Sequence, residues 1–317
     1  MLTKVALLAA AAVVSIGDSF ISGEGGGDYG DSGACHRSVS APIRSARLPA
    51  AEAVNLACSG ARTRNLWPAE WGGERLRGEP PQADRLAALA RTRPVRLIVV
   101  TAGANDIGFG RIVARCALDW ARSSVRHRRL CRHRAEAELA AKLPAMRRDL
   151  TTALRGIRST MAAAGRPRAG YRLVVAGYAS PFPEGRFIRY PERGWSRLRE
   201  GGCPVWNADA DWAVRRATPQ IDAAMQAAAQ ATGAEYLDLE HALDGHQLCD
   251  RRAAVEWVRP LRFAPWALRE SLHPDARGQR AIGACIALHY ARPRGDYACR
   301  SPVGGADADG TRLERLG

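Results

Sequence analysis

Ser19 is the residue of this sequence best placed to act as a nucleophile. It stands in the segment Gly17-Asp18-Ser19-Phe20, directly after the apolar run of residues 12–16. A serine at the end of a buried strand faces a cleft at the sheet edge, and nearby glycines let a substrate approach the backbone. The hydroxyl becomes a good nucleophile only when a base takes its proton, so the fold must bring a histidine to it. Gly-Asp-Ser alone is equally typical of a turn or a helix N-cap, so support must come from elsewhere in the chain.

Three further segments place chemically useful residues at strand ends or in loops. Gly60 follows the second apolar run, Asn105 follows the third, and His273 lies near the C-terminus, three residues after Glu270. In parallel sheets the ligand site lies at the carboxyl ends of the strands. We therefore expect these segments to meet at one edge of the sheet. Asp106, beside Asn105, is expected to be a loop or helix-cap residue, and the other histidines show no spacing typical of metal ligands.

The elements that must position these residues can be read from hydrophobic patterning. Short apolar runs, each ending in Gly, Ser, Asp or Asn, alternate with amphipathic stretches that are typical of helices. This alternation predicts a parallel sheet covered by helices on both faces. The runs lie at residues 12–16, 54–57, 95–100, 173–176 and 234–239, and the helical stretches at 136–163, 208–232 and 275–290.

The domain organisation is expected to be simple. A chain of 317 residues with 46% hydrophobic content can bury one substantial core. We predict a single domain over residues 13–300. Residues 301–317 are rich in Gly, Ala, Asp and Arg, and we predict that this tail is disordered.

The N-terminus allows two interpretations of the same residues. One lysine followed by a long apolar run resembles a short signal peptide, so residues 1–12 are interpreted as a signal-peptide remnant. The run continues without a break into the expected first strand. Cleavage near residues 9–12 would leave residues 13–16 as that strand; alternatively, the sequence starts within a longer precursor. No other stretch reaches about 18 uninterrupted apolar residues, which argues against a membrane-spanning helix elsewhere.

The net charge of +15 comes from 47 basic and 32 acidic residues. The basic residues are spread along the chain, whereas a nucleic-acid binder usually clusters them on one element or tail. We therefore expect a solvated surface and no nucleic-acid partner. The densest run, residues 122–134, could attract anionic lipid or a cell-wall polymer.

Eight cysteines form an even set without the close C-x-x-C pairs that zinc sites favour. Disulfides are the better interpretation, and they require an oxidising compartment. Eight cysteines allow 105 connectivities, so the residues themselves do not fix the pairing. The expected location is extracellular.

The four segments around Ser19, Gly60, Asn105 and His273, in this order, resemble the blocks of the SGNH (GDSL-type) hydrolases. The resemblance is strongest to the secreted actinobacterial esterase and lipase branch and covers roughly residues 12–300. It implies a three-layer α/β/α sandwich with a central, mostly parallel, flavodoxin-like sheet. It also implies a serine ester hydrolase that needs no metal or other cofactor and acts on lipid or acylated glycan esters. Separately, we expect a monomer.

The resemblance assigns roles that physical chemistry supports. Ser19 would attack the ester carbonyl and form an acyl-enzyme, while His273 accepts its proton and later passes it to the leaving alcohol. The oxyanion would be held by the backbone N–H groups of Ser19 and Gly60 and by the Asn105 side-chain amide. Two candidates remain for the group that orients His273: the Glu270 carboxylate, or a main-chain carbonyl such as that of Ser271. Either would fix the tautomer that leaves Nε2 facing the serine.

The family pattern also pairs the cysteines in chain order. It implies the bridges Cys35–Cys58, Cys116–Cys131 and Cys203–Cys249, which leaves Cys285 with Cys299. The first bridge would tie the loop after Ser19 to the Gly60 segment.

Other functions remain to be weighed. The stretch from Gly25 to Gly30 formally matches the dinucleotide-binding pattern G-x-G-x-x-G, but the residues after it are polar and irregular instead of an apolar helix. A carbohydrate O-acetyl esterase acting on cell-wall or plant polysaccharide is the nearest alternative function. A non-catalytic cell-wall-binding protein on a hydrolase scaffold is the second.

Overall fold

A computed structural model describes residues 10–49 and 51–317 of the chain, with backbone only at residues 265 and 266. Seven strands form one sheet in the order β2-β1-β3-β4-β5-β6-β7. The strands from β1 to β6 are parallel, and β7 is antiparallel to β6. The strands are β1 (Ala11–Gly17), β2 (Ala51–Asn55), β3 (Val95–Thr101), β4 (Arg172–Ala176), β5 (Glu235–Asp238), β6 (Tyr297–Arg300) and β7 (Arg312–Arg315).

Ten α-helices connect or flank these strands in the described residues. They are α1 (Ser19–Ser22), α2 (Pro42–Ser45), α3 (Gln82–Thr92), α4 (Ala104–Ile107), α5 (Phe109–Ala121), α6 (Arg132–Ala163), α7 (Asn207–Trp212), α8 (Thr218–Gln230), α9 (Pro265–Leu268) and α10 (Ala276–Ala291). A π-helical turn, Ala213–Ala217, joins α7 to α8. The predicted helix at 208–232 is thus one rod made of three segments.

Alternation along the strands divides the core between the two faces of the sheet, as a period of two requires. Val13 of β1 packs in the cluster that includes α2 and α10, whereas Val14 packs in the cluster that includes α3, α6 and α8. Helices therefore cover both faces of a mostly parallel sheet. This confirms the predicted three-layer α/β/α sandwich.

The strand order reverses around β1, which lies between β2 and β3 while the chain continues outward through β4 and β5. In open α/β sheets the ligand crevice lies at such a switch point, beyond the carboxyl ends of the strands. Ser19 follows β1 directly. The topology therefore places the candidate nucleophile at the position where this architecture binds ligands.

The two chain ends differ from the sequence-based expectations. Arg312–Arg315 form β7 instead of a disordered tail, because Leu313 and Leu316 pack against the core while Glu314 pairs with Arg300. At the other end, β1 begins at Ala11, so two residues of the expected signal-peptide remnant belong to the sheet. Residues 1–9 of that remnant lie outside the described residues.

The eight cysteines form four bridges, with the pairing that the family resemblance implies: Cys35–Cys58, Cys116–Cys131, Cys203–Cys249 and Cys285–Cys299. The second bridge joins α5 to the start of α6, and the fourth joins α10 to β6. Within residues 10–49 and 51–317, no helix combines the length and apolar character needed to cross a membrane.

Candidate active site

The end of β1 is fixed by contacts that hold Ser19 in place. Gly17 has φ +144°, and a Cβ there would lie 1.9 Å from the Thr101 carbonyl oxygen, so only glycine fits. The Gln82 side chain accepts from the Gly17 N–H at 2.7 Å and donates to its carbonyl at 2.9 Å. Asp18 caps the short helix α1 by accepting from the Phe20 N–H at 3.0 Å. Ser19 is consequently the first residue of a helical turn and is partly exposed.

His273 lies within hydrogen-bonding distance of this serine. Its Nε2 is 2.8 Å from the Ser19 Oγ, across 254 positions of sequence. The loop that bears it is fixed by backbone bonds to Arg259, whose N–H donates to the His273 carbonyl and whose carbonyl accepts from the Leu272 N–H, both at 2.9 Å. Shielding from water lowers the pKa of His273, more than the Glu24 charge raises it. The imidazole is therefore neutral near pH 7 and able to accept a proton.

The main-chain alternative is the one the geometry favours for orienting His273. The imidazole Nδ1 lies 3.2 Å from the Ser271 carbonyl oxygen, so Nδ1 carries the proton and Nε2 is free to face Ser19. The Glu270 carboxylate instead accepts from the Tyr29 hydroxyl at 2.6 Å, and its other oxygen is 4.0 Å from Arg259 Nε. The assignment of Glu270 to the triad is therefore not supported by its contacts. Its longer side chain turns toward the 25–29 loop instead.

Asn105 lines the same cavity as Ser19, and its side chain bonds to the residue that follows Gly60. The Asn105 amide donates one hydrogen to the Ala61 carbonyl at 2.8 Å, which leaves its second N–H free. Gly60, at φ +87°, is exposed. Among the described residues, neither the Ser19 N–H nor the Gly60 N–H has a protein acceptor. Three potential donors thus remain for a ligand.

The Gly60 loop is braced from both sides. The Cys35–Cys58 bridge ties it to the loop after Ser19, and the Ser59 N–H donates to the Cys35 carbonyl at 3.0 Å. On the other side, the Asp106 carboxylate accepts from the Thr63 N–H and hydroxyl. The expected loop or cap role of Asp106 agrees with these contacts.

A cavity of about 570 Å³ opens beside the serine. Ser19, Asn105 and His273 line it, whereas Gly60 does not. Its walls are mostly apolar, with Phe20, Phe109, Val113, Ala114, Leu118, Tyr178, Leu243, Val258, Leu261, Phe263, Leu268 and Leu272 among them. A narrower apolar pocket shares Phe109, Val113 and Ile221 with this cavity and extends toward Leu139 and Phe182. The space next to the serine therefore suits a hydrocarbon chain.

Sequence reasoning missed a buried pair behind the nucleophile. The Tyr178 hydroxyl donates to the Asp18 carboxylate at 2.5 Å and accepts from the Ala104 N–H at 3.1 Å. Burial raises the pKa of Asp18 to about 7. Asp18 lies in the Gly17-Asp18-Ser19 segment, and Tyr178 follows β4 at the same edge of the sheet. Position after a strand end was the sequence signal available for both residues.

Glu24 was also missed, although it lies five residues after Ser19. It is fully buried and faces His36 Nδ1 at 2.9 Å, and it accepts from the Ser59 hydroxyl at 2.5 Å. The Gln279 side chain of α10 donates to the Glu24 carbonyl at 3.0 Å. Its sequence signal was an acidic residue among glycines soon after the candidate nucleophile.

Fold and site together define a class of protein: a flavodoxin-like α/β hydrolase with a serine at the end of its first strand and a histidine near the C-terminus. The chain also matches the model of the GDSL-like lipase/acylhydrolase family over residues 15–281. The chain belongs to this family. The predicted family and the predicted ester hydrolase are confirmed.

Known relatives are similar over most of their length. Lipase 1 of Streptomyces coelicolor is 28% identical over 274 residues, which cover 86% of this chain and 83% of that protein. The crystal structure of the extracellular lipase from Streptomyces rimosus superposes with a TM-score of 0.60 at 24% identity, over 89% of this chain and 100% of that one. Phospholipase A1 from Streptomyces albidoflavus NA297 gives 0.59 at 22% identity, over 90% and 100%. The two structures show the shared fold.

Proposed function

We propose that this chain is a secreted lipase or esterase that cleaves carboxylic esters through an acyl-enzyme on Ser19. The observation that carries the proposal is the 2.8 Å contact between His273 Nε2 and Ser19 Oγ. In the first half-reaction His273 takes the serine proton while Oγ bonds to the ester carbonyl carbon. The same imidazole then gives that proton to the leaving alcohol. Water, activated by His273, releases the carboxylic acid and restores the serine.

The negative charge that develops on the carbonyl oxygen needs donors already in place. The N–H groups of Ser19 and Gly60 and the second N–H of the Asn105 amide supply them. An amide side chain suits this task because it donates without a charge that substrate binding must neutralise. Removing one such donor typically costs about 100- to 1000-fold in rate.

The Ser271 carbonyl acts as the third member of the catalytic group by holding Nδ1–H. A carbonyl dipole fixes the tautomer but stabilises the imidazolium less than a carboxylate would. The Glu24 charge, which raises the pKa of His273, supplies part of that stabilisation from a distance. Glu270 anchors Tyr29 and the loop behind the site.

The substrate is an ester with a hydrocarbon acyl chain. The cavity beside Ser19 holds about 570 Å³ and is mostly apolar, and burial of each CH₂ group in such a space contributes about 0.8 kcal/mol. An acetyl group would leave most of it unfilled, which favours lipid esters over carbohydrate O-acetyl esters. The relative named Lipase 1, 28% identical, points the same way.

The mouth of the cavity suits contact with aggregated lipid. Leu118, Phe263 and Leu268 line the cavity and are 51, 64 and 51% exposed, and Arg269 lies beside them. Exposed apolar residues of this size around a cleft are typical of sites that bind another surface. Four disulfides are typical of an oxidising compartment. We therefore infer that the protein acts outside the cell with peripheral contact to a membrane or cell wall.

A chain-length series of p-nitrophenyl esters tests this proposal. The wild type is expected to hydrolyse them with kcat/KM rising from acetyl to octanoyl or longer, and with no change on adding a chelator at 25 °C. Ser19→Ala should abolish the activity, while Ser124→Ala, an exposed serine between α5 and α6, should retain it. A preference for acetyl with acetylated glycans as better substrates would favour the O-acetyl esterase. No hydrolysis of any ester would favour the non-catalytic cell-wall binder.

A further inference from the structure

A second group of polar side chains lies at the carboxyl ends of β4 and β5. Asp222 comes from α8, Asp238 ends β5, and Glu240 follows in the next turn. One carboxylate oxygen from each lies within 4.8 Å of the other two. None of the three pairs with an Arg, Lys or His among the described residues. We call these three residues the acidic cluster.

Acidic residues often gather on surfaces without a ligand, but this group extends into the protein. Asp222 is only 6% exposed, and its Oδ2 has no hydrogen-bond partner in the described part of the chain. The Tyr236 hydroxyl, on a residue 2% exposed, has no partner beyond the neighbouring Asp222 carboxyl. A buried polar atom without a partner costs about 1–3 kcal/mol. A buried carboxylate oxygen without a partner, beside two further carboxylates, calls for a group that it can bind.

Gly177 provides the space that these atoms occupy. A Cβ on this residue would lie 2.6 Å from the Tyr236 hydroxyl and 2.7 Å from Asp222 Oδ1. Gly177 does not adopt a positive φ, so its backbone conformation does not require glycine. A side chain at position 177 would instead collide with Tyr236 and Asp222, so glycine keeps this space open. The result is a small recess walled by carboxylate and phenol oxygens.

We propose that the acidic cluster, with the Tyr236 hydroxyl, binds one hard divalent cation, with Ca²⁺ preferred. Carboxylate and neutral oxygen ligands suit Ca²⁺ and Mg²⁺, whereas softer metals favour nitrogen and sulfur. Ca²⁺ accepts the irregular geometry of ligands from one helix and one strand end, while Mg²⁺ demands a near-ideal octahedron. The cation would neutralise neighbouring carboxylates that form no ion pair with an Arg, Lys or His among the described residues.

This site touches the catalytic edge through one residue. The Asp222 Oδ1 accepts from the Tyr178 N–H at 3.0 Å, and the Tyr178 hydroxyl donates to Asp18, which precedes Ser19. Bound cation would hold Asp222 and so Tyr178. The cation takes no part in proton transfer between Ser19 and His273. We therefore expect it to affect the stability of the fold.

The test is cation binding by the full chain without substrate, so its result is independent of the ester hydrolysis proposed above. After chelator treatment and dialysis, CaCl₂ and MgCl₂ are titrated by calorimetry, and the melting temperature is followed in parallel. We expect one Ca²⁺ site with Kd of about 10⁻⁵ to 10⁻³ M, weaker binding of Mg²⁺, and a rise in melting temperature of roughly 3–6 °C at saturation.

Matched variants locate the site. Asp238→Asn and Glu240→Gln, both partly exposed, should lose the heat of binding and the temperature rise, and Gly177→Ala should weaken both. Asp244→Asn, a nearby carboxylate outside the acidic cluster, should keep them. Melting of each variant in chelator, compared with wild type in chelator, separates a lost site from a damaged fold. The proposal is overturned if neither cation up to about 10 mM, far above the Kd range, gives heat or a temperature shift. Equal Ca²⁺ binding by Asp238→Asn and wild type would also overturn it.

Discussion

The two ends of the sheet's carboxyl edge differ in how they treat buried polar groups. Around β1 and β3, the side chains near Ser19 have protein partners: Asp18 has Tyr178 and Phe20, and Glu24 has His36 and Ser59. Around β4 and β5, Asp222 Oδ2 has no partner among the described residues, and the Tyr236 hydroxyl has none beyond the Asp222 carboxyl. At the first end the free groups include the N–H groups of Ser19, Gly60 and Asn105, which a substrate would use. At the second end the free groups are oxygens that a cation would use.

The comparison teaches that a binding site can be recognised by the hydrogen-bond donors and acceptors that the surrounding protein leaves without partners. At the β1 end the unpaired groups are N–H donors next to a nucleophile and a neutral base, which suits a developing oxyanion. At the β4 end they are acceptors next to negative charge. Tyr178 joins the two ends, since its N–H binds Asp222 and its hydroxyl binds Asp18.

The largest effect should follow loss of the base. His273→Ala removes the only imidazole within reach of Ser19 in the described structure, and kcat should fall by about 10⁴-fold or more. Steady-state kinetics on a p-nitrophenyl ester measures this, with His127→Ala, an exposed histidine far along the chain, as the control. A loss smaller than tenfold would mean that another group activates the serine.

Loss of the side-chain oxyanion donor should have the next largest effect. Asn105→Ala is expected to lower kcat by about 100- to 1000-fold with little change in KM, because the donor acts on charge that develops only in the transition state. A rise in KM at unchanged kcat would contradict this role. Melting temperature must be measured as well, since the Asn105 amide also bonds to Ala61.

The pH profile tests the protonation state of the base. Shielding from water lowers the pKa of His273, and the imidazole must be neutral to accept a proton. Activity is therefore present above this pKa and is lost as the pH falls through it, so kcat/KM should decline about tenfold per unit only below about pH 6.5. Because the pKa of Asp18 is also raised, to about 7, a midpoint above pH 7 would show either that the buried Glu24 charge dominates at His273 or that Asp18 controls the profile.

The smallest effect is expected for Glu270. Because the Ser271 carbonyl, and not this carboxylate, faces Nδ1, Glu270→Gln should lower kcat/KM by less than about tenfold. The glutamine oxygen can still accept from Tyr29. A 1000-fold loss of kcat/KM would show that Glu270 belongs to the triad. It would contradict the orientation of the imidazole by the Ser271 carbonyl.

Much of the fold was readable from the sequence. Four apolar runs coincide closely with β1, β3, β4 and β5, and the run at 54–57 overlaps the end of β2 by two residues. The three amphipathic stretches correspond to α6, to α7 with α8, and to α10. The last two strands were missed. They are four residues each, carry charged residues, and are held by pairing with each other and by the Cys285–Cys299 bridge. The hydrophobic pattern of a short segment carries no information about pairing or disulfide bonds with distant residues.

The candidate site, like the fold, was predicted in part. Ser19 and His273 stand next to strand and loop signals, and the structure brings them together. Which group orients His273 could not be decided from the sequence, because it depends on the direction in which the Glu270 side chain turns. The acidic cluster was invisible for a related reason. Asp222, Asp238 and Glu240 come from a helix, a strand end and a turn, and only the packing of α8 beside β5 brings them within reach of one another.

Covalent labelling of the nucleophile tests the central claim most directly. A fluorophosphonate probe reacts only with an activated serine, and tryptic mass spectrometry locates the adduct. We expect one adduct per chain on the peptide that contains Ser19, none in Ser19→Ala, and strongly slowed labelling in His273→Ala. Stoichiometric labelling of any other serine, or full-rate labelling without His273, would contradict the account.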